Sequence, residues 1–190
     1  MRIIISVFYF LIFTSCIRGY QKKVDLSPIL SKDSVFYLNI RKDSAYLINY
    51  DLQRATTKNN RFTYTSHRDT FTIVYDSQFS KWTGIFGGDS IKLILEKEHI
   101  YEINGTNYKI YKLIRDPGIA DGEMSYFVNL KIGVLAIKSN TWRSYQILKK
   151  IQEPDMEIVL SSLLFNIVND EIFWNNQNVT SDIKFVAPTK

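Results

Sequence analysis

The chain has little of what most catalytic and metal-binding proteins use. It contains one cysteine, Cys16, and two histidines, His67 and His99. A lone cysteine excludes an intramolecular disulfide and a cysteine-based zinc site. The two histidines lack the His-x-x-x-His spacing of a helical zinc site. No Gly-x-Ser-x-Gly elbow supplies a hydrolase nucleophile. The glycine-rich run Gly84-Ile85-Phe86-Gly87-Gly88 is not followed by Gly-Lys-Ser/Thr, so it is no phosphate loop. Lysines and arginines are not clustered along one face, which argues against a nucleic-acid partner. No internal repeat is visible, and no apolar run reaches the about 20 residues needed to span a bilayer as a helix. These absences predict a non-enzymatic chain with no metal and no cofactor.

Aromatics are abundant instead. They make up 14% of the chain, with twelve Tyr and twelve Phe. Together with Ile, Val and Thr they favour pleated, half-buried surfaces, so the composition leans toward sheet. The formal charge of +5 is modest and fits a solvated basic surface with a weak preference for anionic partners.

The most organised stretch is the first, Met1 to Cys16 (MRIIISVFYFLIFTSC). Arg2 precedes an apolar run from Ile3 to Phe13, broken only by Ser6. Basic start, short apolar run and small residues are the features of an export signal. Phe13-Thr14-Ser15-Cys16 resembles the lipobox of bacterial lipoprotein precursors, with Phe13 where Leu is usual. In that family the cysteine becomes the first mature residue and carries lipid on its sulfur and amine. The resemblance therefore implies a signal peptide over 1–15, lipidation of Cys16 and attachment to a membrane, each buried CH₂ contributing about 0.8 kcal/mol. The loose box and the Asn-, Lys- and Tyr-rich remainder resemble Bacteroidota-type lipoproteins. The basic stretch Ile17 to Lys23 implies a periplasm-facing anchor in the cell envelope. A plain cleaved signal and a short uncleaved anchor are the alternatives.

Gly19 to Ser34 is largely polar and contains Pro28, and residues 16–34 read as a lipid-anchored tether. One domain is expected over 35–186, with a tail over 187–190. In it, Val35–Ile40 and Ala45–Tyr50 read as a hairpin, and Phe62–Thr65 and Thr70–Tyr75 as short strands. Residues 76–90 read as a loop carrying Trp82. Ile91–Leu95, His99–Ile103 and Tyr108–Ile114 follow, with Asn104-Gly105 as the hairpin turn because both residues tolerate positive φ. Met124–Leu130 and Gly133–Lys138 are apolar on both faces and belong at the centre of a sheet. The segment 139–152 reads either as helix, from Trp142, Tyr145, Leu148 and Ile151, or as strand. Met156, Val159, Leu160, Leu163, Leu164 and Ile167 make a helical stripe. The expected fold is α+β, an antiparallel β-meander sheet with one late amphipathic helix packed on it. The segment Gly122 to Trp142 also resembles a stretch found in uncharacterised bacterial lipoproteins, which implies shared scaffold and no activity.

Candidate ligand-binding residues are few. Asp116, Asp121 and Glu123 sit together in the Pro/Gly loop 115–123, where carboxylates could converge on calcium or a substrate, although their spacing matches no calcium loop. Trp82, in a glycine-flanked segment, is the tryptophan expected to be exposed, and Trp142 and Trp174 are further aromatic candidates. Two functional expectations follow. The first is a membrane-anchored envelope lipoprotein with a binding or interaction domain for a protein or glycan partner. The second is a carbohydrate- or glycan-processing accessory domain that uses Trp82 with the acidic loop.

Overall fold

The computed structural model describes residues 29–41, 44–56, 59–119, 121–142, 144–151 and 156–175. Cys16 and the rest of the leader lie outside these residues, as does the tail. The described residues form ten strands and two helices. The strands are β1 Ile29–Arg41, β2 Ser44–Thr56, β3 Asn59–Thr65, β4 Thr70–Asp76, β5 Lys81–Phe86, β6 Asp89–Ile103, β7 Thr106–Arg115, β8 Met124–Asn129, β9 Gly133–Ser139 and β10 Ser144–Lys150. The helices are α1 Met156–Asn169 and α2 Glu171–Trp174.

Each strand pairs antiparallel with its neighbours in sequence, and β1 pairs with β10 from Tyr37 opposite Leu148 to Arg41 opposite Ser144. The sheet is therefore a closed barrel. This overturns the expected α+β layout of a meander sheet with a helix packed on it. An open sheet of ten twisted strands curls. Joining its first and last strands satisfies two rows of backbone groups that an open sheet leaves as edges.

Closure divides the side chains into an inner and an outer set. The inward set includes Val35, Tyr37, Tyr50, Leu52, Phe62, Tyr64, Phe71 and Ile73, all buried. Contacts across the barrel confirm the direction. Tyr37 donates its hydroxyl to the Val134 carbonyl, and Val134 N–H donates to Tyr64 Oη at 2.7 Å. The Phe86 and Tyr126 rings lie 5.7 Å apart, and Tyr75 and Tyr111 6.2 Å apart. The lower and middle barrel is thus filled by rings.

The helices lie outside one wall. Trp174 stacks on Phe127 at 4.9 Å, and Phe173 meets Tyr101 and Phe127 edge-on. Strands β8 and β9 are consequently covered on both faces, which accounts for their apolar residues at consecutive positions. Lys112, fully buried, reaches the Asn175 carbonyl at 3.1 Å and Glu96 at 2.8 Å. Lys138 donates to the Trp174 carbonyl at 3.0 Å and to Asn175 Oδ1 at 2.9 Å. Two lysines thereby take up carbonyls at the C-terminal end of α2, groups a helix leaves without intrahelical partners.

Several elements differ from expectation. β1 begins at Ile29, within the stretch read as tether. Residues 81–86 are strand β5. Their glycine signal has a packing origin, since a Cβ on Gly84 would lie 2.3 Å from the Phe86 ring. The ambiguous segment after Ser139 resolves as strand β10. The Asn104-Gly105 turn has φ of 52° and 74°, the geometry that joins β6 to β7.

Candidate functional site

The antiparallel register puts the turns 41–44, 65–70, 86–89, 115–124 and 139–144 at one end of the barrel. At this end the inward-facing residues change character. Tyr37 and Leu148 are buried partners. Two positions further along, Asn39 pairs with Gln146 on one side and with Tyr46 on the other. Gln146 in turn pairs with Ile137. Next comes Arg41, opposite both Ser144 and Ser44. A polar row, Gln146–Asn39–Tyr46, therefore caps an apolar interior.

Above it opens a cavity of about 310 Å³ whose lining includes Asn39, Arg41, Tyr46, Asp121, Ser139, Trp142 and Gln146. Asn39 Nδ2 donates to Tyr46 Oη at 3.1 Å. Trp142 N–H donates to Ser139 Oγ at 2.9 Å, which fixes the backbone that carries the indole. That indole is 54% exposed at the rim. Tyr145, also in the lining, has its phenol pKa raised by burial. The side-chain oxygen of Gln146 is shielded from solvent and has no hydrogen-bond partner among the described residues. Such a group costs about 1–3 kcal/mol and calls for an explanation. Among the described residues the cavity carries one guanidinium and one carboxylate, several neutral donors and acceptors, and an exposed aromatic. It can bind a polar molecule. Among the described residues no three His, Cys, Asp or Glu side chains are placed to hold a metal ion.

The sequence candidates are dispersed. Trp82 is buried at 3% exposure, with its ring 4.5 Å from Tyr75 and 5.1 Å from Tyr111 inside the barrel. It follows the 77–80 turn, at the end opposite the acidic loop. Asp116 lies 2.9 Å from Arg115 Nε. Glu123 ties its own loop together, accepting from Gly118 N–H at 2.8 Å and from Asn140 Nδ2 at 2.7 Å. Only Asp121 of the three carboxylates lines the cavity. Trp82 and the acidic loop therefore form no common cleft. Trp174 is packing beneath α2, at 2% exposure. His67 accepts from Arg68 Nε at 2.9 Å, and His99 stacks on Tyr101 at 4.4 Å.

Sequence reasoning missed Asn39, Arg41, Tyr46 and Gln146. One signal was available. In β1 the alternation Val35, Tyr37, Asn39 breaks from apolar to polar on one face, and Gln146 does the same in β10. A shallower groove of about 670 Å³ outside β3–β5 carries Arg61, His67 and Arg68. There, Arg68 Nε is bonded to His67, and the Thr63 and Thr72 hydroxyls bond each other at 3.1 Å.

Among the described residues no helix is long and apolar enough to cross a membrane. No protein-family model matches the sequence, and no curated protein does. Among solved structures the chain is similar to a crystal structure of a DUF1329 family protein from Desulfovibrio piger. That match has 9% identity over 67% of this chain and 85% of the other, with a TM-score of 0.28, a superposition too loose to assign fold or function.

Proposed function

We propose that the chain is a lipid-anchored protein of the bacterial envelope whose barrel is a non-enzymatic binding module, with its ligand seated in the polar mouth. The anchor part rests on the leader, in which Cys16 has no second cysteine to pair with. The binding part rests on one observation, the polar row Gln146–Asn39–Tyr46 lining a cavity above a packed interior, in which the Gln146 oxygen is left shielded and unpartnered. A protein keeps an uncompensated polar group where function uses it, at the expense of stability.

Two measurements test this reading. Gln146→Met removes the orphan oxygen with little change in volume, so it should leave the melting temperature unchanged or raise it. A clear drop would make Gln146 a structural residue and remove the reason for placing a site there. Intact-mass analysis of the native protein should show acyl chains on Cys16 as the first residue. An unmodified Cys16 within a longer chain would refute the anchor.

Trp82 and the 115–123 loop lie at opposite ends of the barrel and cannot line one accessory-domain cleft.

A further inference from the structure

We infer that the ligand of the mouth is a saccharide, presented as one or two pyranose rings; this rests on the binding-module reading above. Three features of the cavity converge on that class.

The first is charge. Among the described residues the lining pairs one cation, Arg41, with one anion, Asp121, so these side chains do not select for an ion of one sign. A neutral ligand loses least on entering it. The second is hydrogen-bonding character. Asn39, Tyr46 and Gln146 add neutral donor and acceptor groups to the lining. A carboxylate accepts through two oxygens and a guanidinium donates through a planar fork. Adjacent hydroxyls of a sugar ring match both, because each hydroxyl donates one hydrogen bond and accepts others. A purely anionic ligand would leave Asp121 unanswered. The third is the rim. Trp142, 54% exposed, offers a flat apolar surface with few rotatable bonds, against which the C–H face of a pyranose can pack. The volume of about 310 Å³ stands at the small end of ligand pockets, enough for one or two rings.

The three tryptophans make the test site-specific. Trp82 and Trp174 are 3% and 2% exposed, whereas Trp142 is accessible. Collisional quenching of fluorescence by acrylamide therefore reports on Trp142. The full mature chain is titrated with glucose, galactose, N-acetylglucosamine and their β-linked disaccharides. A parallel panel of zwitterions comprises free amino acids and dipeptides, which could satisfy Arg41 and Asp121 by charge alone. The inference predicts saturable protection of Trp142 by at least one saccharide. Gln146→Met should weaken that protection by at least about tenfold, equivalent to about 1.4 kcal/mol, while its melting temperature does not fall. Protection by dipeptides or amino acids and by no saccharide overturns the ligand class and leaves the mouth as a binding site. No protection by either panel overturns both the saccharide and the mouth.

Discussion

Asn39 and Gln146 stand opposite one another across the seam where β1 meets β10. The pairing that closes the barrel is thus the pairing that sets the two carboxamides at its mouth. An open sheet would place the same residues on its two outer edges, where they could not share a cavity. Closure and site are one structural event.

The seam is supported from within by a three-strand network. Tyr37 on β1 and Tyr64 on β3 both bond Val134 on β9. Tyr64→Phe leaves the Val134 N–H buried without its acceptor and should cost about 1–3 kcal/mol. Urea unfolding gives the value, and a change under about 0.5 kcal/mol, the range of surface substitutions, would mean the contact carries no stability.

Trp82 separates core from site. Trp82→Ala removes a large buried ring from the Tyr75–Tyr111 cluster and should cost about 3–5 kcal/mol. In the folded fraction, quenching and ligand protection at Trp142 should be unchanged. A loss of ligand protection without loss of stability would return Trp82 to the list of binding residues.

The α2 clamp predicts a distinctive charge effect. Lys112 is fully buried against Glu96, whose side chain is 22% exposed. Lys112→Met strands that carboxylate and should cost about 3 kcal/mol. The double variant Lys112→Met with Glu96→Gln should recover part of the loss, because the unpaired charge is then gone. A double-mutant cycle in chemical denaturation measures the coupling.

Stability should pass through a maximum in alkaline solution. Burial, reinforced by the nearby Lys112 charge, lowers the Lys138 pKa to about 8, against about 10.4 in an unfolded chain. Between these values the unfolded state binds more protons, so stability rises with pH. Burial has the opposite consequence for tyrosines. Tyr64 and Tyr126 are raised to about 12, against about 10 unfolded. Above pH about 10 the folded state holds the extra protons and stability falls. Lys109, raised by its hydrogen bond to Glu98, adds to this fall once the pH passes about 10.4. Melting temperatures across this range should rise and then fall, and Lys138→Met should reduce the rise, leaving the part due to Lys112, whose pKa burial also lowers. A monotonic fall from neutral pH in the parent chain would contradict the placement of Lys138 beneath α2.

Much of the local structure was legible in the sequence because it is set locally. The Asn104-Gly105 turn needs two residues at positive φ, and the α1 stripe repeats at helical spacing. The two-sided apolar runs of β8 and β9 announced elements covered on both faces, although not by what. Strand β5 was hidden because Gly84 reads as punctuation when it is in fact space for the Phe86 ring. Closure was hidden for a different reason. It joins residues near 39 with residues near 146, and nothing in the periodicity of either strand names a partner so distant. The site inherited that blindness. Its carboxamides and tyrosine come from three strands, and only their register shows that they share a face. Trp82 misled because a tryptophan among polar and glycine neighbours resembles an exposed platform, whereas alternation in β5 turns its ring inward.

The closure of the barrel by β1 and β10 is the claim on which the site depends, and amide hydrogen exchange read by NMR tests it directly. Along an antiparallel strand, alternate amides point to opposite neighbours. In a closed barrel every amide of β1 from Tyr37 to Arg41 has a partner strand on its side, β2 or β10. The account predicts slow exchange at all these positions, with nuclear Overhauser contacts between the backbones of Asn39 and Gln146. Fast exchange at every second amide of β1, with no contact to β10, would show an open edge and contradict both the barrel and the mouth built on it.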